Sequence, residues 1–330
     1  MPLSVIDSGD DGLKLIRADN GSIALTFLPA AGGRLMSVVA NEHEYLWQNP
    51  AYFDRSMKVV RARSTWATDD GTFASWANLG GSKTWPAPQG WHGAGEWPGP
   101  PDPILDGGHW HGEASRDRSG AISIRMTSPD DARSGLRIER AFMIPATGHT
   151  FHQTTRFTNV SEREICWSIW EVCQVDTSDG QGKPTEVAAI EIDVEDAAPL
   201  IDLGTYRGSL TGGAPRDGRF TLPIQDVVAK FGFASASGRV AYRGPSGTLA
   251  ITFEPVPGAD YPDGGSRAEI WMQSPQVEPI HELSGLHPDA HLAELEVLSP
   301  RFTIASGESA EYKLDWTVKP PTLTSRPSLN

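Results

Sequence analysis

Cysteine is scarce: the 330 residues hold only two, Cys166 and Cys173. Seven positions apart, they fall on opposite faces of an extended strand, which excludes a local disulfide between them. Basic charge is also short. Lys and Arg total 28 against 42 Asp and Glu, a net charge of −14. Nucleic acid is therefore not expected as a partner, since binding it needs a basic patch that displaces counterions. No apolar run is long enough to cross a membrane as a helix, so no membrane partner is expected. The opening residues, MPLSVIDSGDDGLKL, lack the basic and apolar regions of a secretory leader. With so few cysteines, this predicts a cytoplasmic location. The Walker glycine loop, the dinucleotide glycine fingerprint, the serine nucleophile elbow and the CxxC pair are all missing. Nucleotide, acyl-serine and dithiol chemistry thus have no motif to rest on, and no cofactor is expected.

What is present is a chain of short β-like segments. Ile122, Ile124 and Met126 alternate with Ser123 and Arg125, the period of a half-buried strand. Similar runs cover Leu13–Arg17, Ser22–Leu28, Leu35–Ala40, Leu136–Ile144, Thr150–Asn159, Ile165–Val175, Glu186–Asp193, Arg239–Tyr242, Leu249–Glu254, Ala268–Gln273, His291–Leu298 and Glu311–Val318. Gly, Pro, Asp and Asn clusters separate them. The best helix candidate is short, Leu222–Val228. Many strands with frequent turns predict an all-β sandwich or barrel. The absence of a linker predicts one domain over residues 1–330, with a proline-rich tail from about 319 to 330. A monomer or homodimer is expected.

One stretch has neither a helical nor a strand period, Asn78 to His111. It carries Trp85, Trp91, Trp97 and Trp110 among prolines and glycines, with Lys83 its single lysine. A loop this long is usually functional or disordered, and disordered segments are poor in aromatics. Tryptophan faces stack on the C–H face of a pyranose, and Asn78, Lys83 and Gln89 offer hydrogen bonds to hydroxyls. The alternative is that these tryptophans cap a large β core.

Several segments together resemble the galactose-mutarotase-like superfamily, most closely one of its bacterial branches. Ala31-Gly32-Gly33-Arg34-Leu35-Met36-Ser37-Val38 is similar to the glycine-bearing early strand of aldose 1-epimerases, and Glu44-Tyr45-Leu46-Trp47 to the aromatic strand after it. Arg156-Phe157-Thr158-Asn159-Val160-Ser161 resembles the family's strand and N-x-S/T turn. Leu295-Glu296 resembles the strand that carries the catalytic glutamate, and Ser306-Gly307-Glu308 the turn before the last strand. The resemblance implies a large antiparallel β-supersandwich with a concave sugar-binding face, and acid–base chemistry at an anomeric carbon. It implies Glu296 as general base. The family's general acid, a histidine on the central strand, has no counterpart in Cys166-Trp167-Ser168-Ile169-Trp170-Glu171-Val172-Cys173-Gln174.

Other residues compete for these roles. Glu294 and Glu296 project from one strand face about 7 Å apart, so Glu294 raises the pKa of Glu296 or is itself the base. His109, His111 and Glu113 alternate. Either histidine is a candidate for the missing acid. Alternatively the trio forms a metal site, or a solvated edge. Trp170 is a stacking platform or a core residue, and Glu171 a replacement acid. Arg34 and Lys83 as substrate-binding cations suggest a sugar acid; Trp85 and Asn78 complete that set. The insertion Ser274–Asp289, with His281, Glu282 and His287, is a loop able to close over a ligand. Three functions fit: a sugar epimerase or mutarotase, a non-catalytic sugar sensor, or a metal-dependent lyase or isomerase built on His109, His111 and Glu113.

Overall fold

The computed structural model describes residues 3–7, 13–66, 72–90, 92–93, 95–180, 183–195, 200–213 and 215–321. The chain folds into two large sheets in which every pair of named strands is antiparallel. The first sheet runs β1 (Leu3–Asp7), β2 (Lys14–Asp19), β3 (Ala24–Leu28), β4 (Arg34–Ala40), β6 (Ser82–Ala87), β11 (Ile165–Asp176), β20 (Leu292–Leu298), β19 (Ala268–Gln273), β16 (Val228–Phe233), β13 (Ile201–Arg207). Two short strands, β5 (His43–Glu44) and β21 (Phe302–Ile304), pair with β4 and β11. The second runs β14 (Pro215–Arg216), β15 (Arg219–Pro223), β12 (Ala189–Val194), β17 (Ala236–Gly244), β18 (Gly247–Phe253), β22 (Ser309–Lys319), β10 (Thr150–Asn159), β9 (Leu136–Ile144), β8 (Ile122–Thr127), β7 (His111–Arg116). The fold is the expected large antiparallel β-sandwich.

Alternation drives the packing of the second sheet. Ile122, Ile124 and Met126 of β8 and Leu136, Ile138, Phe142 and Ile144 of β9 are all buried against the first sheet. Phe151 stacks on Trp316 between strands β10 and β22, ring centroids 5.5 Å apart. One polar network crosses this interior. Arg140 of β9 places a guanidinium nitrogen 2.7 Å from a Glu171 carboxylate oxygen, and Ser82, Thr84 and Gln153 donate to the same carboxylate. Burying that charge is sustained only because every side of it is bonded.

Two expected features take different form. Leu222–Val228 is not helical: Leu222 and Pro223 close β15, and Val228 opens β16. The Asn78–His111 stretch is not all loop, because Ser82–Ala87 is an inner strand of the first sheet. It is buried on both faces, so no period of two shows. Pro86 is tolerated because β6 meets β4 only at Ser82 and thereafter pairs with β11 alone.

The quoted turns also pack as units. Asn159 accepts hydrogen bonds from the backbone N–H and hydroxyl of Ser161 and donates to Ile304, while Gly307 N–H reaches the Asn159 carbonyl at 3.0 Å. The Asn turn and the Ser306–Glu308 turn are thus locked together. Gly32 and Gly33 have φ of 66° and 56°. A Cβ on Gly33 would sit 2.3 Å from the Trp110 ring, and one on Gly32 2.1 Å from the Asp106 carbonyl. The long aromatic segment therefore docks directly on this glycine pair. The proline-rich tail expected from about 319 lies, from 322 onward, outside the described residues.

Candidate functional site

Six neighbouring strands of the first sheet, β6, β11, β20, β19, β16 and β13, carry side chains that turn away from the second sheet. Directly opposed residues in antiparallel strands share a face. Trp85 opposes Trp170; Lys83 opposes Val172, which opposes Glu296, which opposes Glu269. Gln174 opposes Glu294, which opposes Trp271, which opposes Lys230. These rows floor a cavity of about 350 Å³. Trp76, Trp85, Trp170 and Trp271 wall it together with Phe73 and Tyr206. Its rim comes from exposed or half-buried residues of Thr72–Trp76 and of the Leu283–Leu286 turn.

Two lysines organise the polar floor. Lys83 is buried, with its ammonium 3.2 Å from Glu294 and over the rings of Trp85 and Trp76 at 4.9 and 5.5 Å. Burial pulls its pKa below the usual lysine value against the opposing pull of Glu294. Lys230 lies 2.8 Å from Glu269, 3.1 Å from Glu296 and 4.3 Å from the Trp170 ring centre. Burial works against its charge, but the carboxylates of Glu269 and Glu296 outweigh it and hold the ammonium above its ordinary pKa. Burial raises Glu296 from its ordinary pKa and lifts Glu269 well above its own; Lys230 opposes both shifts, and Glu294 adds to that of Glu296.

The two strand glutamates differ. Glu296 is fully buried in the cavity floor. Its Oε2 accepts from the Trp170 indole at 2.6 Å, and its Oε1 has no partner among the described residues. Glu294 is partly open. Its Oε1 accepts from Gln174 at 2.7 Å and from Lys83. Other lining atoms are buried without partners among the described residues: Asn78 Oδ1, Trp85 Nε1 and Gln174 Oε1. A buried polar group left unbonded costs about 1–3 kcal/mol, so several on one cavity wall mark a surface suited to a polar ligand.

The sequence-expected residues therefore divide. Asn78, Trp85, Trp170, Glu294 and Glu296 line the cavity, and Lys83 supports its floor. Arg34 does not line it: it is fully buried, paired with Asp106 and donating to the Gly80 carbonyl. Glu171 faces the opposite way, into the Arg140 network, as its odd offset from Trp170 requires. His109 and His111 sit outside the cavity, His111 on the edge strand β7 of the other sheet. His111 and Glu113 are exposed and 3.1 Å apart. Among the described residues, no group of three His, Cys, Asp or Glu is arranged to hold a metal. Trp97 and Trp110 are core residues with their indoles bonded to Asp102 and to the Ile104 carbonyl. Trp91 lies outside the described residues.

Several site residues escaped the sequence reading: Lys230, Glu269, Trp271, Tyr206, Asp263 and Gln273. The available signal was a single lysine within Val228-Ala229-Lys230-Phe231, and a glutamate and tryptophan sharing one face of Ala268–Gln273.

No protein-family model and no curated protein matches the sequence. Solved structures do. YeaD from Salmonella typhimurium, named provisionally as a mutarotase, is similar at a TM-score of 0.61 and 13% identity, with 97% of this chain and 94% of that one covered. A galactose mutarotase-like protein from Clostridium acetobutylicum gives 0.56 and 11%, covering 97% and 98%. A TPR-domain containing protein from Parabacteroides distasonis gives 0.58 and 12%, covering 96% of this chain but 50% of that one, so this chain spans half its length. No helix among the described residues is long and apolar enough to cross a membrane. The two antiparallel sheets and these superpositions agree: the chain has the galactose mutarotase-like fold.

Proposed function

We propose that the cavity binds a sugar and catalyses acid–base chemistry at its anomeric carbon, as an epimerase or mutarotase. The observation that carries this is the pair Glu294 and Glu296 on one cavity face, beneath tryptophan walls, the first partly open beside Lys83 and the second fully buried against the Trp170 indole. Unlike environments of this kind are how two carboxylates divide acid and base roles. Glu294 keeps an oxygen open to the cavity and sits beside Lys83, which suits a base that takes the anomeric hydroxyl proton. Glu296 and Glu269 share Lys230, and the proton held by that pair reaches the cavity at the partnerless Glu296 Oε1. That proton goes to the ring oxygen as the ring opens. The carbonyl then rotates, and reclosure reverses both transfers. In this reading Glu296 takes the place of the absent central-strand histidine, and the base role expected for it passes to Glu294.

The test is saturation-exchange NMR on a panel of aldoses, following exchange between α and β anomers. Accelerated exchange for at least one sugar is expected, with a loss of about 10²-fold or more in Glu294→Gln and in Glu296→Gln. No acceleration anywhere in the panel defeats the proposal. A second reading rests on one observation: no histidine among the described residues lines the cavity. A sensor would show saturable tryptophan quenching with unaltered anomer exchange.

A further inference from the structure

The charges around the cavity do not balance. Five carboxylates face or floor it: Asp263, Glu269, Glu282, Glu294 and Glu296. Three cations, with the proton shared by Glu269 and Glu296, answer four of them. Lys83 pairs with Glu294 at 3.2 Å, Arg207 with Glu282 at 3.6 Å, and Lys230 is divided between Glu269 and Glu296. Asp263 lines the cavity, and among the described residues no hydrogen bond or ion pair engages its carboxylate. It lies in the Pro262–Gly265 turn with φ of 51°, a left-handed conformation that Asp adopts more readily than most residues. Its charge bears on Lys230 and Glu269, so it belongs to the same crowded group.

The aromatic walls are divided in the same sense. The rings of Trp76, Trp85 and Trp170 already have a lysine ammonium over them. Tyr206 and Trp271, ring centroids 6.1 Å apart, have none among the described residues. Uncovered aromatic faces and an unpaired carboxylate are complementary to a desolvated ammonium. Buried polar atoms without partners, Gln174 Oε1 and Trp85 Nε1, mark the same cavity as a ligand site independently of its charge. The cations that favour a sugar acid in the sequence, Arg34 and Lys83, are both engaged by carboxylates and offer an anion no uncompensated charge.

We propose that this cavity selects a sugar bearing a cationic amino group over its neutral and anionic counterparts. The proposal rests on the sugar-binding reading above and names its substrate class. The ammonium lies on the Asp263, Tyr206 and Trp271 side, and the tryptophan wall of Trp85 and Trp170 takes the ring. Sugar phosphates and uronic acids meet the unpaired Asp263 carboxylate and are repelled.

Titration of the intact protein by tryptophan fluorescence tests this, with glucosamine and galactosamine, their parent hexoses, their N-acetyl forms, the matching uronates and the 6-phosphates. The amino sugars are expected to bind about tenfold more tightly than the parent hexoses. N-acetylation, which keeps the bulk and removes the charge, closes the gap, and added salt narrows it. Asp263→Asn, which the left-handed turn accommodates, lowers amino-sugar affinity toward that of the parent. Equal affinity for amino and parent sugars, or tighter binding of a uronate or phosphate, overturns the charge selection while sugar binding stands. The absence of saturable binding across the whole panel overturns both.

Discussion

At the scale of single residues, the molecule tolerates buried charge only where its neighbours impose it. Glu269 is the extreme case: wholly buried, with its carboxylate engaged among the described residues only by the Lys230 ion pair. Its folded pKa is raised above the ordinary 4.5, chiefly by burial. A raised folded pKa means that the folded state holds a proton the unfolded chain has released. The contribution to stability is therefore complete below 4.5 and is lost as pH rises through the folded value. Glu269→Gln keeps the shape and removes the titration. It is expected to gain stability relative to the parent as pH rises from 4 toward 8, with little difference at the acid end. Urea unfolding at stepped pH checks this; a difference that grows instead toward low pH contradicts it. Gly33 makes a steric counterpart. Gly33→Ala combines a left-handed backbone with a methyl driven into the Trp110 ring, and a loss of about 2–5 kcal/mol in unfolding free energy is expected.

At the scale of elements, strand β11 does two jobs with alternate residues. Trp170, Val172 and Gln174 face the cavity side, whereas Glu171 and Cys173 face the interior between the sheets. Glu171 is therefore a structural anchor: removing it strands Arg140 as a buried unpaired cation. Glu171→Ala is expected to cost about 3–5 kcal/mol, measured by chemical denaturation. A stable Glu171→Ala variant that lost only ligand binding would put Glu171 in the site instead. This division was half legible from sequence. Alternation separates Trp170 from Glu171, and it puts Glu294 with Glu296, but it does not say which face looks inward. The strands Leu136–Ile144, Thr150–Asn159 and Ala268–Gln273 were legible to the residue, because each is flanked by turn residues. Strand β6 was hidden by Pro86 and by burial on both faces. His109 and His111 look like chemistry in sequence because alternation is local, yet the topology carries β7 to the far edge of the other sheet.

At the scale of the whole molecule, the site exists because crossovers bring distant strands together. Lys83 and Glu294 are separated by 211 positions, Trp170 and Glu296 by 126. No local pattern reports such pairings, which is why Lys230, Tyr206 and Trp271 emerge only in three dimensions. The same assembly governs access. The Phe73–Ser75 turn and the Ile280–Leu286 turn, far apart in sequence, meet at the rim: a Cβ on Gly285 would lie 3.1 Å from that of Ala74. If ligand enters between them, joining them must slow its passage without touching the floor. In a Cys166→Ser background, which removes the exposed native thiol, Ala74→Cys with Gly285→Cys places two thiols close enough to link, at the cost of about 1–2 kcal/mol of left-handed strain at position 285, where φ is 82°. Stopped-flow tryptophan quenching should then show association and dissociation both slowed in the oxidised protein and restored by reductant, with the equilibrium affinity little changed. Identical rates in both redox states, with the bridge verified by mass spectrometry, would mean that ligand reaches the tryptophan walls by another route.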